Sequence, residues 1–338
     1  MKRLLIVNSD AKESSYGGVA PFMRNMHPYL KEEFDVTYLY PLNQKHGSWV
    51  PNRISTFIFF WRHRMEMMEY DFVLSHIAEA SYVLSFLGVP FAHIFHGNDN
   101  PMSVSRFKGA MIFSWVYDMM YHRIDCKATL RYTVGAVING RSKIYNPIIR
   151  TASALPYYER KGFVFAGRLE AMKRVERLIA VYALLPDSIK EENDFYIAGS
   201  GTKEADLRAC ARERGVEDKV HFVGDVPNQE MQAFDAQHKL LLMASTREGM
   251  PTAIAEALTV GLPVVSTDVG DIRSVINSGQ NGYLLPKEFK DRDFANAICT
   301  ILKTYDRFSD AAIKTSTLFD AKRVVGKIIE DIKDVIER

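Results

Sequence analysis

Two glutamates, Glu248 and Glu256, stand eight positions apart in the stretch "TREGMPTAIAEAL". An apolar run that predicts a buried strand precedes the stretch, and Pro251 suits the first position of a helix. The amides of residues 252–254 would then lack intrahelical acceptors and could donate to a ligand. Two carboxylates beside such amides suit the hydroxyl groups of a ligand. The alternative is a surface glutamate that merely favours the helix dipole.

Two cations, Arg168 and Lys173, follow a predicted strand in "FVFAGRLEAMKR", and Lys173 is expected at the start of a helix. Cations at such a junction suit a diphosphate, because they add positive charge to the free amides of the helix N-terminus. A solvated basic turn is the alternative interpretation.

Paired glycines follow two other predicted strands. Gly199 and Gly201 in "DFYIAGSGTKE" allow the backbone to approach a ligand closely. The third glycine position of a dinucleotide fingerprint is Glu204, whose carboxylate would oppose a pyrophosphate, so we reject an NAD site. Gly17 and Gly18 in "SSYGGVAPF" make a similar opening for phosphate or sugar.

Two histidines, His76 and His96, each end a predicted strand. A lone histidine at a strand end is often structural. Two at neighbouring strand ends favour a place in the binding cleft, because ligands of open α/β sheets bind at the carboxyl ends of the strands.

The segment "KDRD" contains Asp291 and Asp293 in a D-x-D pattern that could bind a metal ion. It directly precedes the helical segment "FANAICTIL". Capping of that helix is the better interpretation, so no metal site and no cofactor are expected.

Composition excludes several classes of protein. The chain has 338 residues, 47% hydrophobic and 25% charged, with a net charge of +2, so it has no nucleic-acid signature. Residues 1–150 carry 17 Lys and Arg against 12 Asp and Glu, whereas the remainder carries 26 against 29. A basic first half could favour an anionic membrane surface or an anionic substrate, and chance scatter is the alternative.

The N-terminal segment and the spacing of the cysteines bear on where the protein is expected to act. The apolar part of "MKRLLIVNSD" is too short for a signal peptide, and no run approaches the roughly 18 apolar residues of a membrane span. The three cysteines are far apart, which disfavours a zinc site or a disulfide framework. We expect a cytoplasmic protein, with contact to the inner face of the cell membrane as a further possibility.

Short apolar runs alternate with helical segments along the whole chain, which predicts parallel sheets covered on both faces. The pattern restarts after residues 147–160. We expect domains at 1–150 and 151–320, with a C-terminal helix near 320–338 that packs on the first. The predicted strands are Leu4–Asn8, Asp35–Tyr40, Asp71–His76, Phe91–His96, Val134–Ile138, Gly162–Ala166, Asp194–Ala198, Lys219–Val223, Lys239–Ala244, Leu262–Ser266 and Gly282–Leu285.

These motifs, in this order, resemble the family-4 retaining glycosyltransferases of the GT-B fold. The resemblance is close over residues 160–305 and loose over the first half. It rests on "GGV" at 17–19, "HG" at 96–97, "GR" at 167–168 with Lys173, "IAGSG" at 197–201, "VHFVGDV" at 220–226, "EGMPTAIAEALTVGLPVVSTDVGDI" at 248–272 and "NGYLL" at 281–285.

The resemblance implies two Rossmann-like doubly wound domains facing across a cleft, with a nucleotide-sugar donor held mainly by the second. Arg168 and Lys173 would neutralise the diphosphate, and Glu256 would accept from the ribose hydroxyls. The donor sugar would be held by Glu248, Gly249, Met250, Pro251 and Thr252, with His96 near it. Gly17 and Gly18 would approach the phosphates, and Gly199 and Gly201 would contact the donor.

Segments of the first half favour one class of acceptor. Basic and aromatic segments of the first half, including "FIFFW" at 57–61, suit a membrane surface and a glycan or polyprenyl-diphosphate-linked acceptor, as in bacterial surface-polysaccharide assembly. A UDP-sugar is the favoured donor because it is common in the family. The alternatives are another GT-B enzyme, such as a nucleotide-sugar epimerase or a phosphorylase, and a non-catalytic protein that binds a nucleotide sugar.

Overall fold

A computed structural model describes residues 1–9, 19–41, 52–96, 114–135 and 138–338. The chain divides into two compact units. The first contains residues 1–147 and 321–338, and the second contains residues 148–320.

The first unit contains a parallel sheet of six strands in the order β2-β1-β3-β4-β5-β6. Every residue of β3 is buried, and so are the first five residues of β4, because helices cover both faces of a parallel sheet. The strands are β1 (Lys2–Val7), β2 (Phe34–Leu39), β3 (Phe72–Ser75), β4 (Phe91–His96), β5 (Leu130–Val134) and β6 (Ser142–Ile144).

Within the described residues, five helices of the first unit lie between these strands. Helix α4 packs against both α2 and α5, and the three helices share one apolar cluster with the sheet. The helices are α1 (Val19–Glu33), α2 (Asn52–Arg62), α3 (Arg64–Met67), α4 (Ala78–Leu84) and α5 (Ser114–Lys127).

The second unit contains another six-stranded parallel sheet, in the order β12-β11-β10-β7-β8-β9. Chain order reverses between the neighbours β7 and β10, so the loops after these two strands leave in opposite directions. Such a switch point is where open α/β sheets bind ligands. The strands are β7 (Phe163–Ala166), β8 (Phe195–Ala198), β9 (Val220–Gly224), β10 (Leu240–Met243), β11 (Val264–Thr267) and β12 (Gly282–Leu285).

The helices of the second unit cover this sheet with amphipathic faces. In α6, for example, Leu178, Ile179 and Tyr182 are fully buried against the phenylalanines of β7 and β8. The helices are α6 (Val175–Ala183), α7 (Asp187–Glu192), α8 (Glu204–Glu213), α9 (Met231–Ala236), α10 (Thr252–Thr259), α11 (Asp291–Lys303) and α12 (Tyr305–Ser316).

The C-terminal helix, α13 (Ala321–Glu337), belongs to the first unit and packs against α1. Its buried residues recur at helical spacing. Tyr132 Oη donates to Asp331 at 2.7 Å, and Lys333 Nζ contacts Glu33 at 2.5 Å. No helix within the described residues combines the length and hydropathy that a bilayer span requires.

The predicted fold class, two doubly wound parallel-sheet domains, is confirmed. One predicted strand is wrong: β5 lies at Leu130–Val134 instead of Val134–Ile138, and residues 136–137 lie outside the described part of the chain. Strand β6 was not predicted, because it is a three-residue edge strand with a partly polar sequence.

Candidate active site

The loop after β7 places Lys173 next to the end of β10. Lys173 ends a 3-10 turn, Ala171–Lys173, and α6 begins only at Val175, so the expected helix start at Lys173 is wrong. Between them Arg174 adopts a left-handed conformation with φ 49°, which is strained for a residue with a side chain. Its guanidinium donates to the backbone oxygen of Ala244 at 2.7 Å, which fixes this loop against the chain that leaves β10.

Lys173 and Glu248 form an ion pair at this switch point. Lys173 Nζ lies 2.6 Å from Glu248 Oε1, and the two side chains are only 14% and 10% exposed. Ser245 Oγ donates to the same carboxylate oxygen at 2.6 Å. The structure therefore brings together the cation predicted for a diphosphate and the carboxylate predicted for a sugar.

Arg168, the second predicted cation, has a different environment. Its side chain is 73% exposed and Nη1 lies 2.9 Å from Glu170 Oε1. An exposed ion pair of this kind contributes about 0–1 kcal/mol, so a ligand anion could replace Glu170 at small cost.

Gly199 and Gly201 are required by the neighbouring loop. A Cβ on Gly199 would lie 2.0 Å from the oxygen of Gly167, and Gly199 has a φ of +128°. A Cβ on Gly201 would lie 2.5 Å from the oxygen of Leu169. The described contacts thus explain both glycines by the packing of the β8 loop against the β7 loop, and the predicted approach to a ligand stays a prediction.

The segment from Glu248 to the start of α10 is held by backbone contacts. Pro251 is the N-cap of α10, one position before the predicted one, and has no side-chain capping hydrogen bond. The amide of Ile254 donates to the backbone oxygen of Pro251 at 3.2 Å, so the expectation that this amide is open is wrong. The contacts of the described residues give the amides of Thr252 and Ala253 no backbone acceptor, which leaves these two able to donate to a ligand. Gly249 accepts from the amide of Asp271 at 3.1 Å, and Met250 is buried, so the loop has a fixed conformation.

Glu256, one turn further along α10, is half-buried and lies near a second carboxyl group. That group is Asp235 of α9, which is fully buried, and neither of its carboxyl oxygens has a hydrogen-bond partner among the described residues. Burial, with a smaller contribution from the charge of Glu256, raises the pKa of Asp235 well above its usual value. Glu256 thus lies near a buried carboxyl group whose pKa is raised, an environment that the sequence did not reveal.

The two histidines of the first unit contact each other. His76 follows β3 and His96 ends β4, and His76 Nδ1 lies 2.9 Å from His96 Nε2. Phe22 of α1 packs against both rings, with centroid distances of 5.6 and 5.0 Å. The predicted proximity of the two strand ends is therefore present, whereas Gly17, Gly18 and Gly97 lie outside the described residues.

The D-x-D segment begins α11 but does not cap it. The N-cap is Lys290, without a side-chain capping hydrogen bond, so the capping interpretation is wrong. Asp291 instead accepts from Arg177 Nε at 3.1 Å, and both aspartates lie in the first helical turn, where the helix dipole favours negative charge. Among the residues that the structure describes, no three His, Cys, Asp or Glu side chains are grouped to hold a metal ion.

Three relatives of known name match between 41% and 52% of this chain. The phosphatidylinositol N-acetylglucosaminyltransferase gpi3 subunit of Schizosaccharomyces pombe is 29% identical over 52% of this chain and 36% of its own length. The lipopolysaccharide 1,6-galactosyltransferase of Salmonella typhimurium is 32% identical over 42% of this chain and 41% of its own length. The matches thus span less than half of these relatives. The putative teichuronic acid biosynthesis glycosyltransferase TuaC of Bacillus subtilis is 32% identical over 41% of this chain and 32% of its own length.

Solved structures share the fold along the whole chain. Sucrose-phosphate synthase of Thermosynechococcus elongatus has a TM-score of 0.80 and 14% identity, with all of both chains covered. Anabaena HepE in complex with UDP and glucose has a TM-score of 0.71 and 17% identity, with 99% of this chain and 100% of that chain covered. The family model for glycosyl transferases group 1 matches residues 152–315. Residues 152–315, which carry the Lys173–Glu248 pair, therefore belong to the glycosyl transferases group 1 family, in a chain with the GT-B fold.

Proposed function

We propose that this chain is a retaining glycosyltransferase that moves a sugar from a nucleoside diphosphate sugar to an acceptor. The observation that carries the proposal is the Lys173–Glu248 ion pair at the switch point of the second sheet, beside the uncapped start of α10. A cation, a carboxylate and open amides are the groups that a diphosphate joined to a sugar requires.

The residues have distinct roles in this proposal. Lys173, Arg168 and the first amides of α10 stabilise the diphosphate. Glu248 and the backbone of 249–252 hold the hydroxyls of the donor sugar, and Glu256 accepts from the ribose. His96 contacts the sugar, while Gly17 and Gly18 approach the phosphates and Gly199 and Gly201 line the donor site, as the resemblance implies.

Donor binding exchanges the partners of Lys173. The diphosphate competes with Glu248 for the ammonium group, and the released carboxylate can accept from a sugar hydroxyl. Ser245 Oγ, 2.6 Å from Glu248 Oε1, keeps the carboxylate oriented during this exchange. Each charge then has a ligand partner in place of its protein partner, so neither is left unpaired in a largely buried site.

In the chemical step the bond between the anomeric carbon and the diphosphate oxygen breaks, and the electron pair leaves with the diphosphate. The acceptor oxygen attacks from the same face, and its proton passes to the departing phosphate oxygen. Lys173, Arg168 and the α10 amides stabilise the developing negative charge, so the proposed reaction requires no metal ion.

The names of the relatives support a donor and an acceptor class. HepE was solved with UDP and glucose, and the pneumococcal GtfA with UDP and GlcNAc, which favours a UDP-sugar here. The lipopolysaccharide galactosyltransferase and TuaC favour a glycan or polyprenyl-diphosphate-linked acceptor in bacterial surface-polysaccharide assembly.

Such an acceptor places the enzyme at the inner face of the cell membrane, and the surface of α2 and α3 suits this location. Ile54, Ile58, Trp61 and Met65 are exposed and recur at helical spacing along one side. The Arg64 guanidinium lies 5.4 Å from the centre of the Trp61 ring. Exposed apolar and aromatic side chains flanked by arginines favour the interface of an anionic bilayer.

A donor screen followed by product analysis tests the proposal. Nucleotide sugars are first compared for thermal stabilisation of the purified chain. The stabilising donor is then incubated with candidate acceptors in excess EDTA, and the anomeric configuration of the product is read by NMR. Transfer with retention in EDTA is expected. Inversion, or activity that returns only with Mn²⁺, would contradict the mechanism.

The two alternative functions give different products in the same assay. An epimerase would convert the donor without any acceptor. A non-catalytic binding protein would be stabilised by the donor and would never turn it over.

A further inference from the structure

Two imidazole rings share a single hydrogen bond in the first unit. His76 Nδ1 and His96 Nε2 are 2.9 Å apart, and the rings are nearly parallel, with an interplanar angle of 24°. A neutral imidazole carries one donor and one acceptor nitrogen. One ring must therefore donate to the other, and the direction of the bond fixes the tautomer of both rings.

The environment of His76 favours its neutral form. The side chain is buried, and its other nitrogen, Nε2, has no hydrogen-bond partner among the described residues. Burial, followed by the charges of His96 and His93, lowers the pKa of His76 well below its ordinary value. A second proton would therefore not be held by His76 near neutral pH.

The unpartnered nitrogen of His76 decides the direction of the shared bond. If His96 donated, the proton of His76 would sit on Nε2 as a buried N–H group without an acceptor. If His76 donates from Nδ1, only a lone pair is left unpartnered at Nε2. In proteins, buried N–H groups without an acceptor are rarer than buried acceptors without a donor, so His76 is the donor of the shared bond.

We propose that His76 is a positioning residue that holds His96 in the tautomer protonated at Nδ1. This inference rests on the proposed function, in which His96 contacts the donor sugar. His96 is exposed at the end of β4. With Nε2 occupied by His76, its free nitrogen is a donor, so His96 offers an N–H to a sugar oxygen and does not act as a base there.

A second histidine of β4 provides an internal reference for the tautomer. Ser75 Oγ donates to the backbone oxygen of Ile77 at 3.1 Å, and Ser81 Oγ donates to Ser75 Oγ at 2.7 Å. The Ser81 hydroxyl has no second proton, so it accepts from His93 Nδ1 at 2.7 Å. With the hydroxyls donating in this order, His93 is expected to be protonated at Nδ1.

Nitrogen NMR of the full-length, ¹⁵N-histidine-labelled protein tests the proposal without a substrate. Tautomers are distinguished by the couplings of the ring carbons' protons to the two nitrogens, and spectra of the His76→Asn, His93→Asn and His96→Asn variants assign the signals. At pH 7 His76, His93 and His96 are all expected to be neutral and protonated at Nδ1. His96 protonated at Nε2 would overturn the proposal.

A pair of variants tests the consequence for catalysis. The amide of His76→Asn can still donate to His96 Nε2, whereas His76→Leu cannot. With the donor found in the screen, His76→Leu should lower kcat about tenfold with little change in KM, the effect of one weakened hydrogen bond to the transition state. His76→Asn should recover most of that loss.

Melting temperatures first show that both variants are folded. Equal rates of wild type, His76→Leu and His76→Asn, or equal losses in both variants, would overturn the positioning role. A wild-type chain that transfers no sugar would instead refute the proposed function, and the NMR result would still decide the tautomer.

Discussion

Lys173 Nζ lies 2.6 Å from Glu248 Oε1, although the two residues belong to loops that are 75 positions apart in the sequence. The β7 loop and the β10 loop meet there because β7 and β10 are neighbours in the sheet. The amide of Thr246 donates to the oxygen of Met172 at 2.8 Å and fixes the two loops together. Both charges therefore have a partner in the structure, and in the proposed function Lys173 exchanges Glu248 for the diphosphate of the donor.

Replacement of Lys173 by Met should weaken the binding of a nucleoside diphosphate by about tenfold or more. A charge-assisted hydrogen bond contributes roughly 1.5–3 kcal/mol. Lys190→Met is the matched control, because Lys190 also forms an ion pair, with Asp187 at 3.0 Å. Both residues belong to α7, which precedes β8 and so lies toward the amino ends of the strands, away from the proposed site. Calorimetry measures both variants. Equal dissociation constants for wild type and Lys173→Met would show that Lys173 does not meet the diphosphate.

Gly199→Ala should destabilise the protein more than Gly215→Ala does. Both glycines have positive φ, +128° and +67°, so both substitutions strain the backbone. Only at Gly199 does the new Cβ also meet a backbone atom, the oxygen of Gly167 at 2.0 Å, whereas nothing lies within 4 Å at Gly215. We expect an excess destabilisation of about 1–3 kcal/mol at Gly199 in urea unfolding. Equal losses of stability in the two variants would mean that the β7 loop and the β8 loop separate readily.

Asp235→Asn should stabilise the protein at neutral pH, and the gain should shrink in acid. Burial raises the pKa of Asp235 in the folded chain above that of the unfolded chain, so the unfolded chain loses this proton first as pH rises. The wild type therefore loses about 1.4 kcal/mol of stability per pH unit between the two pKa values. Asparagine has no such proton to lose.

Unfolding midpoints of wild type and Asp235→Asn, measured from pH 4 to pH 8, check this dependence. The difference in unfolding midpoint between the two proteins should be smallest near pH 4 and should increase as the pH rises. A difference that is constant with pH would show that Asp235 ionises normally.

The α2–α3 surface should bind anionic vesicles. Arg62→Glu combined with Arg64→Glu should reduce binding by about tenfold or more, since each Lys or Arg near such a surface contributes about 1 kcal/mol. Nucleotide binding should be unchanged. Lys303→Glu combined with Lys314→Glu makes the same charge change at exposed positions of the second unit. Sedimentation with vesicles at low salt distinguishes the pairs, and equal effects would argue against a specific surface.

Much of the second unit is predictable from sequence because its strands are short, apolar runs between turn residues. Given the strand order of a doubly wound sheet, the residues after β7 and β10 must converge at the switch point. That reasoning locates Lys173 and Glu248 at one site. It does not give their contact, because a cation and a carboxylate that each suit a ligand can equally pair with each other.

Other features depend on tertiary contacts that leave no local pattern. Arg174 reads as one more basic residue of a turn, whereas in the structure it has a left-handed backbone and its guanidinium donates to the backbone oxygens of Ala244 and Lys287. Asp235 reads as a polar residue of a short helix, yet it is fully buried. The letters "MKR" at 172–174 do not show that Lys173 contacts Glu248 while Arg174 contacts the backbone of Ala244.

In the proposed function Glu256 holds the nucleotide and Glu248 holds the sugar. Calorimetric titration of Glu256→Gln and Glu248→Gln with the free nucleoside diphosphate, alongside steady-state rates with the full donor, distinguishes these two roles. Glu256→Gln should bind the nucleotide about tenfold or more weakly, because a charged acceptor is lost. Glu248→Gln should bind it almost normally, since Lys173 stays available, but should lose turnover because sugar positioning matters most in the transition state. Normal binding and normal turnover in both variants would show that neither glutamate contacts the donor.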